Sequence, residues 1–447
     1  MGELGTMRAS RRLRAAWSWL LAMLTAAPAV PPTRADLVDV AAATAVARRG
    51  GLRLLESRRL VLVTDRPPRD GDGVEDLPRI FDEAVAAWCD HYSVEPDALA
   101  DWRCLGCLVV DRERFRAAGL LPPEIPAFVN GFCDRNRFWL MDQPNPAYRR
   151  HLLLHEGAHA FTLTVRGLAT PVWYNEGIAE YLATHRLDDA GRFVPTPIPA
   201  RADDVEQLGR IERIRELRAA GGVPALADVL AVQPAVHHDI AAYASSWAAV
   251  ALFRGHPAYA ASFAELERGR LGSDFNERVA AMPGFDAARA ARDFDALTDD
   301  LDYGYDFGRS AIDWSPGRPL DGPVRVAVRA GRGWHNTGIR LRAASRCRLR
   351  AEGRCTLGRI ADTTIETEAD GVSLDWYRGR PIGRLLAAQW VEAPPQGGRP
   401  RFVVLGEGAA AAITAAVDGP LFLRVNEPPA DLADDAGEFT VELSPDR

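Results

Sequence analysis

The stretch Tyr148-Arg149-Arg150-His151-Leu152-Leu153-Leu154-His155-Glu156-Gly157-Ala158-His159-Ala160-Phe161 constrains this chain more than any other. Asn145 and Pro146, just before it, read as an N-cap and a first-turn proline, so the pattern predicts a helix. The helix is apolar nearly all round, which marks it as buried and central. Yet it carries His155, Glu156 and His159 in the pattern H-E-x-x-H. Histidines four apart lie on one helical face, one turn from each other. Two imidazoles and a carboxylate are costly to bury without partners. A metal ion removes that cost. Each histidine offers zinc a nitrogen at about 2.0–2.1 Å. Glu156, about 100° round the helix, reaches a water on the metal as general base. The plain alternative is a helix with two hydrogen-bonded histidines. Arg149, Arg150 and His151 read as a solvated or ion-paired turn ahead of the motif.

The next helical segment bears on that choice. Thr170-Pro171 starts it, and it contains Trp173-Tyr174-Asn175-Glu176-Gly177-Ile178-Ala179-Glu180-Tyr181. Glu176 and Glu180 are again one turn apart on one face. Sixteen residues separate His159 from Glu176, enough for one loop and one turn of helix back to the metal. His155, His159 and Glu176 then make a His2Glu zinc site with a fourth position open. Glu180 orients a ligand histidine from behind.

H-E-x-x-H followed by N-E-G-x-A-E resembles the gluzincin metallopeptidases, in particular their secreted bacterial peptidase MA-like branch, over about residues 60–265. The resemblance implies zinc ligands at His155, His159 and Glu176, a catalytic base at Glu156, and hydrolysis of a peptide or protein substrate. The gap before Glu176 is somewhat shorter than in thermolysin-like enzymes. An oxyanion partner is expected downstream. Tyr243-Ala244-Ser245-Ser246-Trp247 resembles the family's Y-A-x-S-W run and makes Tyr243 the candidate, with His237 and His238 as the others. A core tyrosine with a bonded hydroxyl is the plain alternative.

Around these helices the pattern reads as a small mixed sheet plus helices. Residues 36–58 read as one Ala-rich helix. Leu60–Thr64, Cys107–Asp111 and Arg137–Asp142 read as strands, Leu77–Tyr92 and Glu113–Gly119 as helices. Downstream, Asp203–Ala220 reads as a charged helix with Leu208, Ile211, Ile214 and Leu217 as its stripe. Helices follow at Ser262–Leu271 and Asp286–Leu297.

Beyond Thr298 the composition changes to an irregular linker and then to short alternating strands. These include Val324–Val328, Gly338–Leu341, Arg346–Ala351, Gly419–Val425 and Glu438–Leu443, set apart by Gly and Pro turns. Residues 322–447 resemble the galactose-binding-like jelly rolls, in particular a small calcium-dependent galactophilic bacterial lectin. Gly419-Pro420-Leu421-Phe422-Leu423-Arg424-Val425-Asn426-Glu427 and Asp431, Asp434-Asp435-Ala436-Gly437-Glu438-Phe439 carry that resemblance. It implies a calcium site at Glu427, Asp431, Asp434 and Asp435 and a glycan or cell-surface ligand. The plain alternative is a solvated acidic turn.

A chain of 447 residues has room for two or three domains. No basic stripe with interleaved aromatics is present, so nucleic acid is not an expected partner. The chain contains no lysine, which excludes Schiff-base and Ser-Lys chemistry. The first 35 residues carry arginines ahead of an apolar run, Ala15 to Val30, and small-residue sites, the pattern of an export signal. A secreted, periplasmic or surface-held protein with no further membrane span is expected, an uncleaved anchor being the variant form. Six cysteines suit disulfides in that compartment, with a local bridge between Cys347 and Cys355. Cys104 and Cys107 form a C-x-x-C read as structural.

The expectation is therefore an α+β chain: an export signal at 1–35, a gluzincin-like zinc peptidase domain at 36–300, a linker at 301–321 and an all-β jelly roll at 322–447. The competing reading is a degenerate peptidase that serves as a carbohydrate or surface-binding module. The intact Glu156 argues against it, since a scaffold needs no base.

Overall fold

The computed structural model describes residues 37–167, 170–206, 209–233, 240–360, 363–394 and 398–446. The expected export signal, His237, His238 and Leu208 lie outside them. The chain is mixed α/β and divides into two units. Unit 1 comprises residues up to Pro195 with Leu230–Asp239 and Glu265–Ala281. Unit 2 comprises Thr196–Val229, Ile240–Ala264 and Met282–Arg447. Residues 196–229 and 240–264, which the sequence reading places with the metal motif, thus group with the C-terminal strands.

Unit 1 is built on a five-stranded sheet in the order β1-β2-β3-β5-β4. Its strands are β1 (Arg53–Glu56), β2 (Leu60–Thr64), β3 (Cys104–Val109), β4 (Gly131–Asp134) and β5 (Arg137–Met141). The central strands β2, β3 and β5 are parallel, and β1 and β4 run antiparallel at the two edges. β2 and β3 are buried along their whole length, which is why they read as unbroken apolar runs. Helices α1 (Val40–Arg49) and α3 (Arg112–Ala117) cover one face, where Leu105, Cys107, Val109 and Trp139 join the core with Ala47 and Phe115. Helix α2 (Leu77–Tyr92) covers the other, and its Phe81 stacks on Phe138 at 6.0 Å between centroids.

The metal-motif helix, α4 (Pro146–Phe161), packs on that second face between α2 and β4–β5. The Asn145 side chain accepts hydrogen bonds from the backbone of Ala147 (2.8 Å) and Tyr148 (3.2 Å), and Pro146 follows as the first helical residue. Phe161 closes an aromatic cluster with Trp88, Tyr92 and Trp102. Arg149 and Arg150 are buried helical residues and not part of a solvated turn. Arg149 Nε binds Asp142 at 2.7 Å and its Nη1 binds Asp72 O at 2.9 Å. α4 ends in a π-helical turn, Thr162–Arg166, and Gly167 adopts a left-handed φ of 70° that stops it. Helix α5 (Val172–Ala183) then packs back along α4, and an antiparallel hairpin of β6 (His185–Leu187) and β7 (Phe193–Pro195) follows it.

Unit 2 holds a β-sandwich. One sheet has the order β17-β16-β19-β10-β8, the other β13-β12-β20-β11-β18 with β9 also paired to β20. The strands are β8 (Arg318–Pro319), β9 (Val324–Arg329), β10 (His335–Leu341), β11 (Arg346–Glu352), β12 (Cys355–Ile360), β13 (Thr363–Thr367), β16 (Leu385–Val391), β17 (Arg401–Glu407), β18 (Ala410–Thr414), β19 (Gly419–Val425) and β20 (Asp435–Pro445), with a separate hairpin of β14 (Val372–Tyr377) and β15 (Arg380–Ile382). Ile339, Leu349, Leu421, Leu423, Val425, Phe439 and Val441 share its core. The stretch expected as linker is packed: Ile312 and Trp314 cluster with Trp390, Phe402 and Phe422. Helix α6 (Arg210–Ala219) buries Ile211, Ile214 and Leu217. Helices α7 (Ile240–Gly255) and α8 (Ala287–Asp300) also belong to the unit.

The cysteine expectation fails on geometry. All six cysteines are free thiols. Cys347 pairs with Pro445 and Cys355 with Gly437 along the same strand β20. Eight residues of strand separate them by about 26 Å, far beyond a disulfide's reach. Cys104 and Cys107 lie an odd number of residues apart on β3, so their side chains point to opposite faces.

Candidate metal centre

Helices α4 and α5 are antiparallel, and their facing sides alternate histidine and glutamate. His159 Nε2 lies 3.4 Å from Glu176 Oε2, and His155 Nε2 lies 3.6 Å from the same oxygen. His155 Nδ1 lies 3.2 Å from Glu180 Oε1, and His151 Nε2 lies 3.2 Å from Glu180 Oε2. The order along the ladder is His159, Glu176, His155, Glu180, His151. Four-residue spacing on both helices produces it, because each residue steps about 6 Å along its axis to the next rung.

The upper three rungs could hold a metal ion. The two Nε2 atoms of His155 and His159 are 3.1 Å apart. With the glutamate oxygen they form a triangle with edges of 3.1, 3.4 and 3.6 Å. Tetrahedral ligands at about 2.0–2.1 Å from zinc lie about 3.3 Å from one another. The donor set therefore fits a small dication. Among the described residues, two groups of three metal-ligating side chains converge: this one, and His151, His155 and Glu180. His185 stands apart. Arg150 Nε donates to its Nε2 at 2.7 Å, and its Nδ1 donates to Ala183 O at 2.7 Å. Burial pushes its pKa down to about 3, so it stays neutral.

Charge is concentrated here. Glu156, Glu176 and Glu180 are all buried. Burial raises the Glu176 pKa, but His159 and His155 outweigh it and hold the carboxyl well below its usual range. Burial lowers the His155 pKa, but Glu180 and Glu176 outweigh it and raise it to about 10. Burial raises Glu156, against the pull of His155 and His159. A cation at the three donors would compete with the proton on His155 and offset the same carboxylates.

Glu156 itself lies against β4. A Cβ at Gly131 would sit 2.2 Å from its Oε1, so only glycine leaves room for the carboxylate. β4 is the outermost strand of its sheet. Asn130 O accepts from Met141 N at 2.8 Å, and Gly131 and Cys133 sit opposite Leu140 and Phe138. Hydrogen-bonded pairs alternate in antiparallel strands, so the backbone groups of Gly131 and Cys133 point away from β5. Among the described residues no strand pairs with this edge, which runs beside Glu156. Gly157 serves packing: a Cβ there would meet Phe81 Cε2 at 2.3 Å. Neither glycine has a role legible from the sequence. His151 had a signal, its place one turn before His155.

Tyr243 lies on α7 in unit 2, where the Arg210 guanidinium sits 5.9 Å from its ring centroid. The acidic loop is also in unit 2. Asn426 Nδ2 ties it to the β14–β15 hairpin through Tyr377 O (3.1 Å), Arg380 O (3.1 Å) and Pro381 O (3.0 Å). Glu427 is buried, and its Oε1 and Asp435 Oδ2 have no hydrogen-bond partner among the described residues. Burial and the neighbouring carboxylates raise Glu427 to about 8 and Asp435 to about 7. Asp431 and Asp434 are exposed, and no three of the four carboxylates converge as the α4–α5 donors do.

No family model and no curated protein matches the sequence. Among solved structures, the chain is similar to the N-terminal domain of EclA, described as a PllA-like lectin. The identity is 20% and the TM-score 0.20, over 28% of this chain and 99% of that one. It is also similar to the IMPa metallopeptidase from Pseudomonas aeruginosa, with 14% identity and a TM-score of 0.16. That match covers 68% of this chain and 29% of that one, so this chain spans under a third of that protein's length. No helix among the described residues is long and apolar enough to cross a membrane.

Proposed function

We propose that this protein is an exported zinc-dependent peptidase of the gluzincin type, with His155, His159 and Glu176 as ligands and Glu156 as general base. The observation that carries the reading is the triangle of donor atoms, 3.1–3.6 Å on its edges, with Glu156 buried beside it. Zinc, when bound, polarises the scissile carbonyl and brings the pKa of water near neutrality. Glu156 takes the proton of the attacking water and later hands it to the leaving amine. Glu180 Oε1 stands 3.2 Å from His155 Nδ1 and would favour the proton there, which leaves Nε2 for the metal. The open edge of β4 supports a peptide substrate, since an extended chain adds to such an edge as one more strand. Tyr243 remains the sequence-derived candidate for the oxyanion partner.

The test is metal analysis with a peptide-library digest. Wild-type protein should hold one zinc and cleave. Glu156→Gln should keep the zinc and lose cleavage, and substantial turnover in that variant would sink the mechanism. Glu176→Ala should lose zinc; unchanged metal content would remove it from the ligand set. For unit 2, the unpartnered buried oxygens of Glu427 and Asp435 support a calcium-binding loop and, with it, a glycan ligand.

A further inference from the structure

We propose that His151 is a positioning residue of the metal centre, holding Glu180 in place so that Glu180 can hold His155. The inference rests on the metal-site reading above. His151, His155 and His159 follow one another at single-turn intervals on α4, and Glu180 is shared between the first two. Glu180 Oε2 lies 3.2 Å from His151 Nε2 and Oε1 lies 3.2 Å from His155 Nδ1. Oε2 is hydrogen-bonded to His151 Nε2, and Oε1 stands in ion-pair contact with His155 Nδ1. The terminal torsion of a glutamate is broad and offers little resistance to rotation. A carboxylate gripped by one imidazole can therefore turn and tilt the ring it supports. Gripped at both oxygens by two imidazoles, it cannot. Glu180 is 2% exposed, so bulk water does not stand in for a missing donor.

The same three side chains also converge closely enough to suggest a cation site. A second ion there would need both nitrogens of His155 metallated and its ring fully deprotonated. The hydrogen-bonded arrangement needs neither, and it matches the way metal-ligating histidines are commonly fixed by a carboxylate behind them.

The contact atom is Nε2, whose position the amide nitrogen of glutamine reproduces. Asparagine is one methylene too short. The experiment uses full-length, metal-free protein of the wild type, His151→Gln and His151→Asn. Zinc affinity is measured against a chelating indicator, zinc per chain is counted, and each metal-free form is melted. His151→Asn should weaken zinc binding about tenfold or more, and His151→Gln should stay within about threefold of wild type. All three should bind one zinc and melt alike without metal. Equal zinc affinity in wild type and His151→Asn overturns the proposal. So does a loss in both variants accompanied by a lower metal-free melt, which is the mark of simple packing. Two zinc ions in the wild type falling to one in both variants would make His151 a ligand instead. A wild type that binds no zinc overturns the metal reading itself, and this inference with it.

Discussion

Replacing Gly131 with alanine isolates the placement of Glu156 from the binding of metal. The added Cβ would lie 2.2 Å from Glu156 Oε1, 2.7 Å from Cδ and 2.8 Å from Cγ. A carbon–oxygen contact relaxes at about 3.3 Å, so the carboxylate must retreat by about 1 Å. Displacement of a reacting group on that scale costs about a hundredfold in rate, or about 2.7 kcal/mol in the barrier. The three atoms nearest the new methyl all belong to Glu156 and none to the proposed zinc ligands, so metal content should stay at the wild-type value. Gly131 has no positive φ, so alanine strains no backbone there, and displacing the one carboxylate should cost no more than about 1–3 kcal/mol in the melt. Turnover of a cleaved library peptide, zinc per chain and a thermal melt are measured together. Wild-type turnover in Gly131→Ala would refute the claim that β4 positions the base. Loss of zinc would refute the separation of base from ligands.

Other predictions concern packing and charge. Gly157→Ala drives a methyl into Phe81 and Trp88, so overpacking of about 1–3 kcal/mol, partly offset by helix propensity, should lower stability in urea. Wild-type stability there would mean that α4 does not press on α2. Arg424→Ala removes the guanidinium whose Nη1 lies 2.6 Å from the half-buried Asp300 and, with Arg378 and Tyr377 still bound to that carboxylate, should cost about 1.5 kcal/mol. Burial raises Asp300, but Arg424 and Arg378 outweigh it and hold it at about 2. Its contribution is therefore present above about pH 4 and lost as pH falls through 2; Asp300→Asn should flatten that part of an acid titration. Glu427 and Asp435 shift the other way, to about 8 and about 7. Their contribution is present below about pH 4 and lost as pH rises through 7 and 8. Calcium should thus raise the melting temperature more at pH 8.5 than at pH 5.5, and no calcium effect at either pH would remove the loop as a cation site.

The readable elements were those determined by their own residues. α2 and β2 have the expected limits because an amphipathic stripe and a fully apolar run each specify their own ends. The caps of α4 follow directly from Asn145 and Pro146. β1 was hidden inside an expected helix, although Gly50 and the left-handed Gly51 break it. β4 is four residues long and is a strand through its pairing with β5, which no local pattern announces. β16 and β18, rich in alanine, are strands for the same reason. At the site, two pairs of residues four apart on consecutive helices were visible, and the structure brings them together. Gly131 was invisible because its role is set by a side chain 25 residues further on. The expected disulfide near Cys347 failed because a short separation in sequence became a long one along β20.

All five residues of the His–Glu ladder lie between positions 151 and 180. The centre is therefore local in the chain, in contrast to the sheet beneath it, whose strands are gathered from residues 53 to 141. Closing so short a loop costs little more entropy than forming the helical hairpin itself. Contacts this local form quickly, before long-range strand pairing is complete. A cation that binds the ladder would then act during folding as well as after it, fastening α4 to α5 while the rest of unit 1 assembles. Amide exchange should reveal this as protection of α4 and α5 that depends on zinc far more than protection of β2 and β3 does.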